Sequence, residues 1–246
     1  MDLENSWTVA KKDLSIFRKK KSILYSLVAF PLGISLGLPA VIWLVVEKHP
    51  ETVSYAQLIP LVNAFFFFFM IGTVSLATGM AAYSIVGEKV EKSLEPLLAT
   101  PTTDSEILLG KALAAFLPTI ASTFFGATIY MFFIDAISRQ QLGYLFYPNW
   151  TMAVFLFLAT PLACLFSVEL NVIFSARVND VRAAQQFGGL IVLPFAGLYV
   201  LGEIGFISLD APTILVISAV LVLLDVVLFS ISKATFSREE ILTKWK

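Results

Sequence analysis

Charge is scarce in this chain. Only 14% of its 246 residues are Asp, Glu, Lys or Arg, against about a quarter in an ordinary soluble domain. With 58% hydrophobic residues and a mean hydropathy of +0.84, a soluble globular fold is excluded. Cysteine is nearly absent. The single Cys164 lies in an apolar run, so no disulfide framework or zinc cluster forms within one chain. The single histidine, His49, sits in a short polar stretch and reads as a solvated loop residue. No G-x-x-x-x-G-K-[ST] phosphate loop is present: Gly110-Lys111 is followed by Ala112, and position 105 is Ser. The chain therefore lacks that route to ATP hydrolysis. Nor does any motif combine a nucleophile, a base and an orienting group, so covalent catalysis is not expected, and neither is a bound metal or cofactor. The net charge of −1 gives no reason to expect a nucleic-acid partner. No polar stretch is long enough for a second core, which leaves one domain over 1–246.

What remains is apolar and segmented. Six apolar runs cover roughly 24–46, 58–86, 107–134, 151–175, 187–203 and 212–232. Each approaches the ~20 residues that carry a helix across ~30 Å of hydrocarbon. The runs are continuous, whereas barrel strands would alternate over ~10 residues. The expected fold is an all-α membrane protein with six transmembrane helices. The first run is too long for the core of a cleavable signal, and no small-residue cleavage site follows it.

The basic residues are distributed unevenly. Lys11, Lys12, Arg18, Lys19, Lys20 and Lys21 precede the first run. Lys89, Lys92 and Lys111 lie between the second and third, Arg177 and Arg182 between the fourth and fifth. Lys233, Arg238, Lys244 and Lys246 follow the sixth. Only Lys48 and Arg139 fall on the other side. Cytoplasmic loops retain Lys and Arg, so both termini are expected in the cytoplasm of a multi-pass cell-membrane protein. Residues 1–22 interleave Trp7, Val9, Leu14, Ile16 and Phe17 with Lys11, Lys12 and Arg18. That pattern suits a helix lying in the headgroup layer of the lipid membrane. Tyr144, Tyr147 and Trp150 close the outer loop 135–150 and suit the opposite interface. Residues 203–212 read either as a tight turn or as a helix that breaks and re-enters the membrane.

The inner loop 87–111 reads GEKVEKSLEPLLATPTTDSEILLGK. Glu88, Lys89, Glu91, Lys92 and Glu95 are charged, while Leu94, Leu97 and Leu98 share one side at helical spacing. Gly87 permits a sharp exit from the second run. Pro101 stops the helix. Thr103 or Asp104 is placed to cap the next one, with Glu106 near its positive end. On charge and leucines alone, a solvated connector is an equal reading. The string resembles the GEKE-x-G-T-LE-x-LL-x-x-P-x-x-x-x-E-IL-x-GK signature of ABC-2 type transporter permeases, with matches at Gly87, Glu88, Lys89, Leu94, Glu95, Leu97, Leu98, Pro101, Glu106, Ile107, Leu108, Gly110 and Lys111. Val90, Lys92, Ser93 and Pro96 depart from it. The tail FSREEILTKWK also looks like the end of many such permeases.

The resemblance implies a permease subunit of an ATP-driven exporter. It implies a cytoplasmic coupling helix within 87–106, with Gly87, Glu88, Lys89, Glu91, Leu94, Glu95, Leu97 and Leu98 as the residues that engage a separate ABC ATPase. Two ATPase copies would bind ATP and Mg, and a second permease subunit, identical or different, would complete the assembly. Two other classes stand beside this reading. One is a membrane scaffold that transports nothing. The other is an ion-coupled transporter relying on Glu169 and Asp225.

Glu169 and Asp225 fall inside apolar runs, where an acid costs ~2.5–3.5 kcal/mol on insertion scales. With Asn171 they are candidates for a substrate path, a proton site or interhelical anchors. Ala29, Gly33 and Gly37 recur every four residues, a small-residue face that lets helices approach closely. It is a candidate dimer seam, with packing inside one subunit as the rival. The Phe65–Phe69 run is read as lipid-facing or core bulk, or as the wall of an aromatic cavity.

Overall fold

Asp2 caps the first helix, α1 (Leu3–Lys19), by accepting the Glu4 backbone N–H. The computed structural model describes residues 2–48, 55–90, 100–142, 144–178 and 180–235. One stripe of α1 is buried (Ser6, Val9, Ala10, Asp13 and Phe17). The opposite side exposes Leu3, Trp7 and Lys11. Then follow α2 (Lys21–Lys48), α3 (Tyr55–Ala64) and α4 (Phe66–Ala82). A π-helical turn, Tyr83–Gly87, leads into the short α5 (Glu88–Val90). Beyond come α6 (Asp104–Leu142) and α7 (Trp150–Val154), then a second π-turn (Phe155–Ala159). The chain continues into α8 (Thr160–Arg177), α9 (Val181–Glu203) and α10 (Ala211–Thr235). Among the described residues there is no strand.

Among the described residues, six stretches are long and apolar enough to cross a membrane: Lys21–Leu44, Pro60–Val90, Asp104–Arg139, Trp150–Ser175, Val181–Glu203 and Ala211–Ser232. Span two, built from α3, α4, the π-turn and α5, is the central one. Its apolar window is 72% buried, against 22–56% for the others. The outer helices keep many apolar side chains exposed because their solvent is lipid, and their inward faces pack on span two or on each other, span one against span three and span six against span four. Phe65, Phe66, Phe67 and Phe69 are core, and Phe68 is half-buried at its edge. Phe66 meets Tyr130 and Tyr147 edge-on at 5.4 and 5.3 Å, and Phe67 meets Phe155 at 4.8 Å, the geometry aromatic quadrupoles favour. The Tyr130 and Tyr147 hydroxyls both donate to the Val62 carbonyl, at 2.9 and 3.2 Å.

Several boundaries differ from the sequence reading. Span three begins at Asp104, and its helix runs on to Leu142 through much of the presumed loop. It can do so because Asp135 accepts the Phe146 and Tyr147 backbone N–H groups, both at 2.9 Å, which folds the returning chain onto it. Tyr147, expected at an interface, is therefore buried, while Tyr144 and Trp150 are exposed. Span five begins at Val181, six residues before the apolar run, because Asp180 caps it. Residues 204–210 form a turn and do not re-enter. Phe206 N–H donates to Leu201 O at 2.9 Å and Gly205 N–H to Gly202 O at 3.0 Å, with Gly205 at φ 75°. This is a Schellman stop, which a glycine at that φ makes without strain.

Candidate functional site

The two roots of the 87–111 loop converge on α1, and the contact is ionic. Lys111 enters from α6 and is only 1% exposed at its side chain. Its ammonium reaches Glu88 Oε2 at 2.6 Å, the Ser84 carbonyl at 2.6 Å and Asp13 Oδ2 at 3.4 Å. Lys12 of α1 takes the other Glu88 oxygen, Oε1, at 2.5 Å. The Ser84 hydroxyl donates to Asp13 Oδ2. Two cations and two carboxylates thus share one site at the junction of α1, the π-turn, α5 and α6. The balance of sign matters, because one unpaired charge here would carry the full desolvation cost. Burial pushes the Asp13 carboxyl above the usual carboxylate range, with the Lys111 ammonium pulling the other way.

Neighbouring contacts extend the tie. Thr103 and Glu106 form a reciprocal capping box at the start of α6: Thr103 N–H donates to Glu106 Oε2 at 2.9 Å, and Glu106 N–H to Thr103 Oγ1 at 3.4 Å. Glu106 Oε1 also accepts the Asp2 backbone N–H at 2.6 Å. Lys89 turns away from α1 and donates to Ser175 O at 2.8 Å and Val178 O at 3.3 Å. Those carbonyls lie at the C-terminal end of α8, where a cation is favoured. Gly110 lets α1 approach α6: a Cβ there would stand 2.6 Å from Ser6 O and 2.7 Å from Val9 Cβ.

Gly87, Glu88 and Lys89, expected to meet a partner, are thus buried and engaged within the chain. Glu91, Leu94, Glu95, Leu97 and Leu98 lie outside the described residues. Asp13 and Ser84 were not singled out by sequence, and Lys12, read as facing lipid headgroups, pairs with Glu88 instead. The available signal was an acid on the apolar stripe of α1, at helical spacing with Val9 and Phe17.

A second feature runs along spans two and five. A groove of about 500 Å³ opens between α2, α4 and α9. Its lining is mostly apolar, with Phe30, Leu76 and Met80 among its walls, and carries scattered hydroxyl and amide groups from Ser22, Ser26, Ser75, Thr78 and Gln185 and no charged residue. At the far ends of the same two spans, a pocket of about 650 Å³ carries Asn63, Glu203 and Asp210. Phe67, Phe68 and Tyr199 fill the stretch between, with Phe68 and Tyr199 rings 4.9 Å apart.

The remaining candidates separate. Asn171 is an interhelical tie: it donates to Ala184 O at 3.5 Å and accepts from Ser175 at 2.8 Å. Glu169 and Asp225 come together between α8 and α10. Ala29, Gly33 and Gly37 lie on an exposed face of α2, and a Cβ at Gly33 or Gly37 would meet nothing within 4 Å. Among the described residues, no group of three or more His, Cys, Asp or Glu could hold a metal ion.

Comparison with known proteins adds a family. A model described as "ABC-2 family transporter protein" matches residues 7–215. A relative from Bacillus subtilis (strain 168), "ABC transporter permease protein NatB", is 23% identical over 222 residues, covering 79% of this chain and 56% of the relative. The match therefore spans little more than half of that protein's length.

Proposed function

The chain belongs to the ABC-2 family of transporter proteins, and from that premise we propose that it is the permease subunit of an ATP-driven exporter, moved by a separate ATPase. It is a multi-pass membrane protein with six apolar helices of spanning length. The observation that carries the proposal is the ion cluster joining both roots of the 87–106 coupling loop to α1. A loop that transmits force needs stiff anchorage, and a buried network with geometry fixed on four elements, α1, the π-turn, α5 and α6, supplies it. In this reading Leu94, Leu97 and Leu98 seat on the ATPase, Glu91 and Glu95 line the rim, and Glu88, Lys89 and Lys111 pass the motion inward. Two ATPase copies bind ATP and Mg, and this chain binds neither.

The exposed side of α1, with Leu3, Trp7 and Lys11, lies against cytoplasmic headgroups. Both termini are cytoplasmic. The uncovered face at Ala29, Gly33 and Gly37 meets a second permease subunit, identical or different. Cargo passes along the groove of spans two and five, and Phe68 and Tyr199 part when the halves rock.

The test is co-purification with the ATPase and ATP-dependent transport in vesicles. Leu94→Ala with Leu97→Ala removes apolar anchors whose truncation at such contacts often costs about 2 kcal/mol or more. ATPase retention should fall well below that of Lys92→Ala, with membrane insertion intact. Full retention and normal transport in the double variant refute the coupling assignment.

A further inference from the structure

We propose that Glu169 and Asp225 form a proton-binding site between α8 and α10, apart from the ion cluster and from the groove. Asp225 is 8% exposed, and neither of its carboxyl oxygens has a hydrogen-bond partner. Glu169 Oε2 is likewise buried without one. The two acids interact electrostatically, and Cys164 of α8 is the other titratable group within reach of Asp225. Among the described residues, no cation neutralises either acid. The helix face that carries Asp225 is the inward one: Ile214, Ser218, Leu221, Asp225 and Ser232 are buried, while Leu223, Val226 and Val227 face outward.

A packing anchor would look different. Asn171, two residues from Glu169, makes the bonds that an anchor makes. Asp225 makes none. Asp225 is enclosed without a partner and so is one oxygen of the half-buried Glu169; two neighbouring carboxyl groups so placed do not readily both carry charge, so a ligand of positive charge completes the pair. The proton fits best. An alkali or alkaline-earth ion needs several oxygen ligands, and beside the carboxyls the site offers little: the nearby Ser232 hydroxyl already donates to the Glu169 backbone carbonyl at 3.3 Å. A proton needs only the two carboxyl groups. Acids within membrane spans serve this purpose in proton relays.

This inference does not depend on the transport reading, and its test uses no ATPase. Dicyclohexylcarbodiimide, an apolar reagent that adds to protonated carboxyl groups in membranes, is applied to the full-length protein in liposomes. Modified peptides are then mapped by mass spectrometry. Labelling at Glu169 or Asp225 is expected at neutral pH. On the alkaline side it should fall about tenfold per pH unit as the acid form is depleted. In Asp225→Asn, Glu169 loses its like-charged neighbour, so its labelling should cease at a lower pH than in the wild type. Absence of labelling at neutral pH in the wild type overturns the proposal. So does protection by sodium or potassium at constant pH, which would make the ligand an alkali cation. An unmoved Glu169 profile in Asp225→Asn shows that the acids do not share the site and overturns it as well.

Discussion

Two sets of buried carboxylates sit in this molecule under opposite terms. At the α1 end, Asp13 and Glu88 are buried together with Lys12 and Lys111, and the cations lie 2.5–3.4 Å from the acid oxygens. On the packed helices α8 and α10, Glu169 and Asp225 lie close enough to interact electrostatically, with no cation paired to them among the described residues. Burial alone therefore says little about a charged residue's role. The cluster sets two ammonium groups against its two acids, although Asp13 Oδ1 is itself buried without a partner. What distinguishes the regions is whether the chain supplies counter-charge. Where it does, the residues fix geometry. Where it does not, something from outside must.

The largest expected effect is the loss of Lys111. Lys111→Met leaves Asp13 and Glu88 sharing the one ammonium of Lys12, and removing one partner of a buried pair costs about 3–5 kcal/mol. Thermal unfolding in detergent should show a large fall in midpoint, together with protease sensitivity of α1. Asp225→Asn should show nothing comparable. Restoring neutrality sharpens the contrast: adding Glu88→Gln to Lys111→Met should recover part of the loss, with a coupling of roughly 0.5–3 kcal/mol in a double-mutant cycle. Additive losses would mean that the two groups do not act as a pair.

Gly110→Leu comes next. Its side chain would strike Ser6 O and Val9 on α1, and overpacking of this kind costs about 1–3 kcal/mol. The expected readout is α1 displaced, with the six spans still inserted, by hydrogen exchange at Val9 to Asp13. Thr103→Ala removes one half of the capping box and should cost about 1 kcal/mol, visible as fraying at the start of α6 in the same experiment. Asp225→Asn closes the series. Asn exchanges one buried unpartnered polar group for another, so detergent unfolding should show a smaller change than any of the variants above.

The spans were readable from hydropathy because each lipid-facing side must be apolar whatever it packs against. Thr103, Glu106 and Asp180 act within one turn of their helix starts, and Thr103 with Glu106 was legible for that reason. The ion cluster was not. Asp13, Glu88 and Lys111 are far apart in sequence, and each alone looks like a solvated cytoplasmic charge. The family motif marked Glu88 and Lys111 without revealing that they bond to each other. Glu169 and Asp225 stood out through their cost in a membrane, but only packing brings them face to face. Tyr147 misled because a tyrosine in an outer loop usually sits at the interface. Here the Val62 carbonyl draws its hydroxyl inward.

The central claim is that α1 and the root of the 87–111 loop move as one body. Spin labels at Lys11→Cys and Val90→Cys, both exposed positions, report on it directly, since the native Cys164 is buried and does not compete. Pulsed electron–electron distance measurements on the protein with the ATPase that the proposed function assigns to it should give one narrow distance. That distance should be unchanged between nucleotide-free and ATP-trapped states, and Lys111→Met should broaden it. A distance that shifts on ATP trapping in the wild type, or stays narrow in Lys111→Met, would contradict the claim.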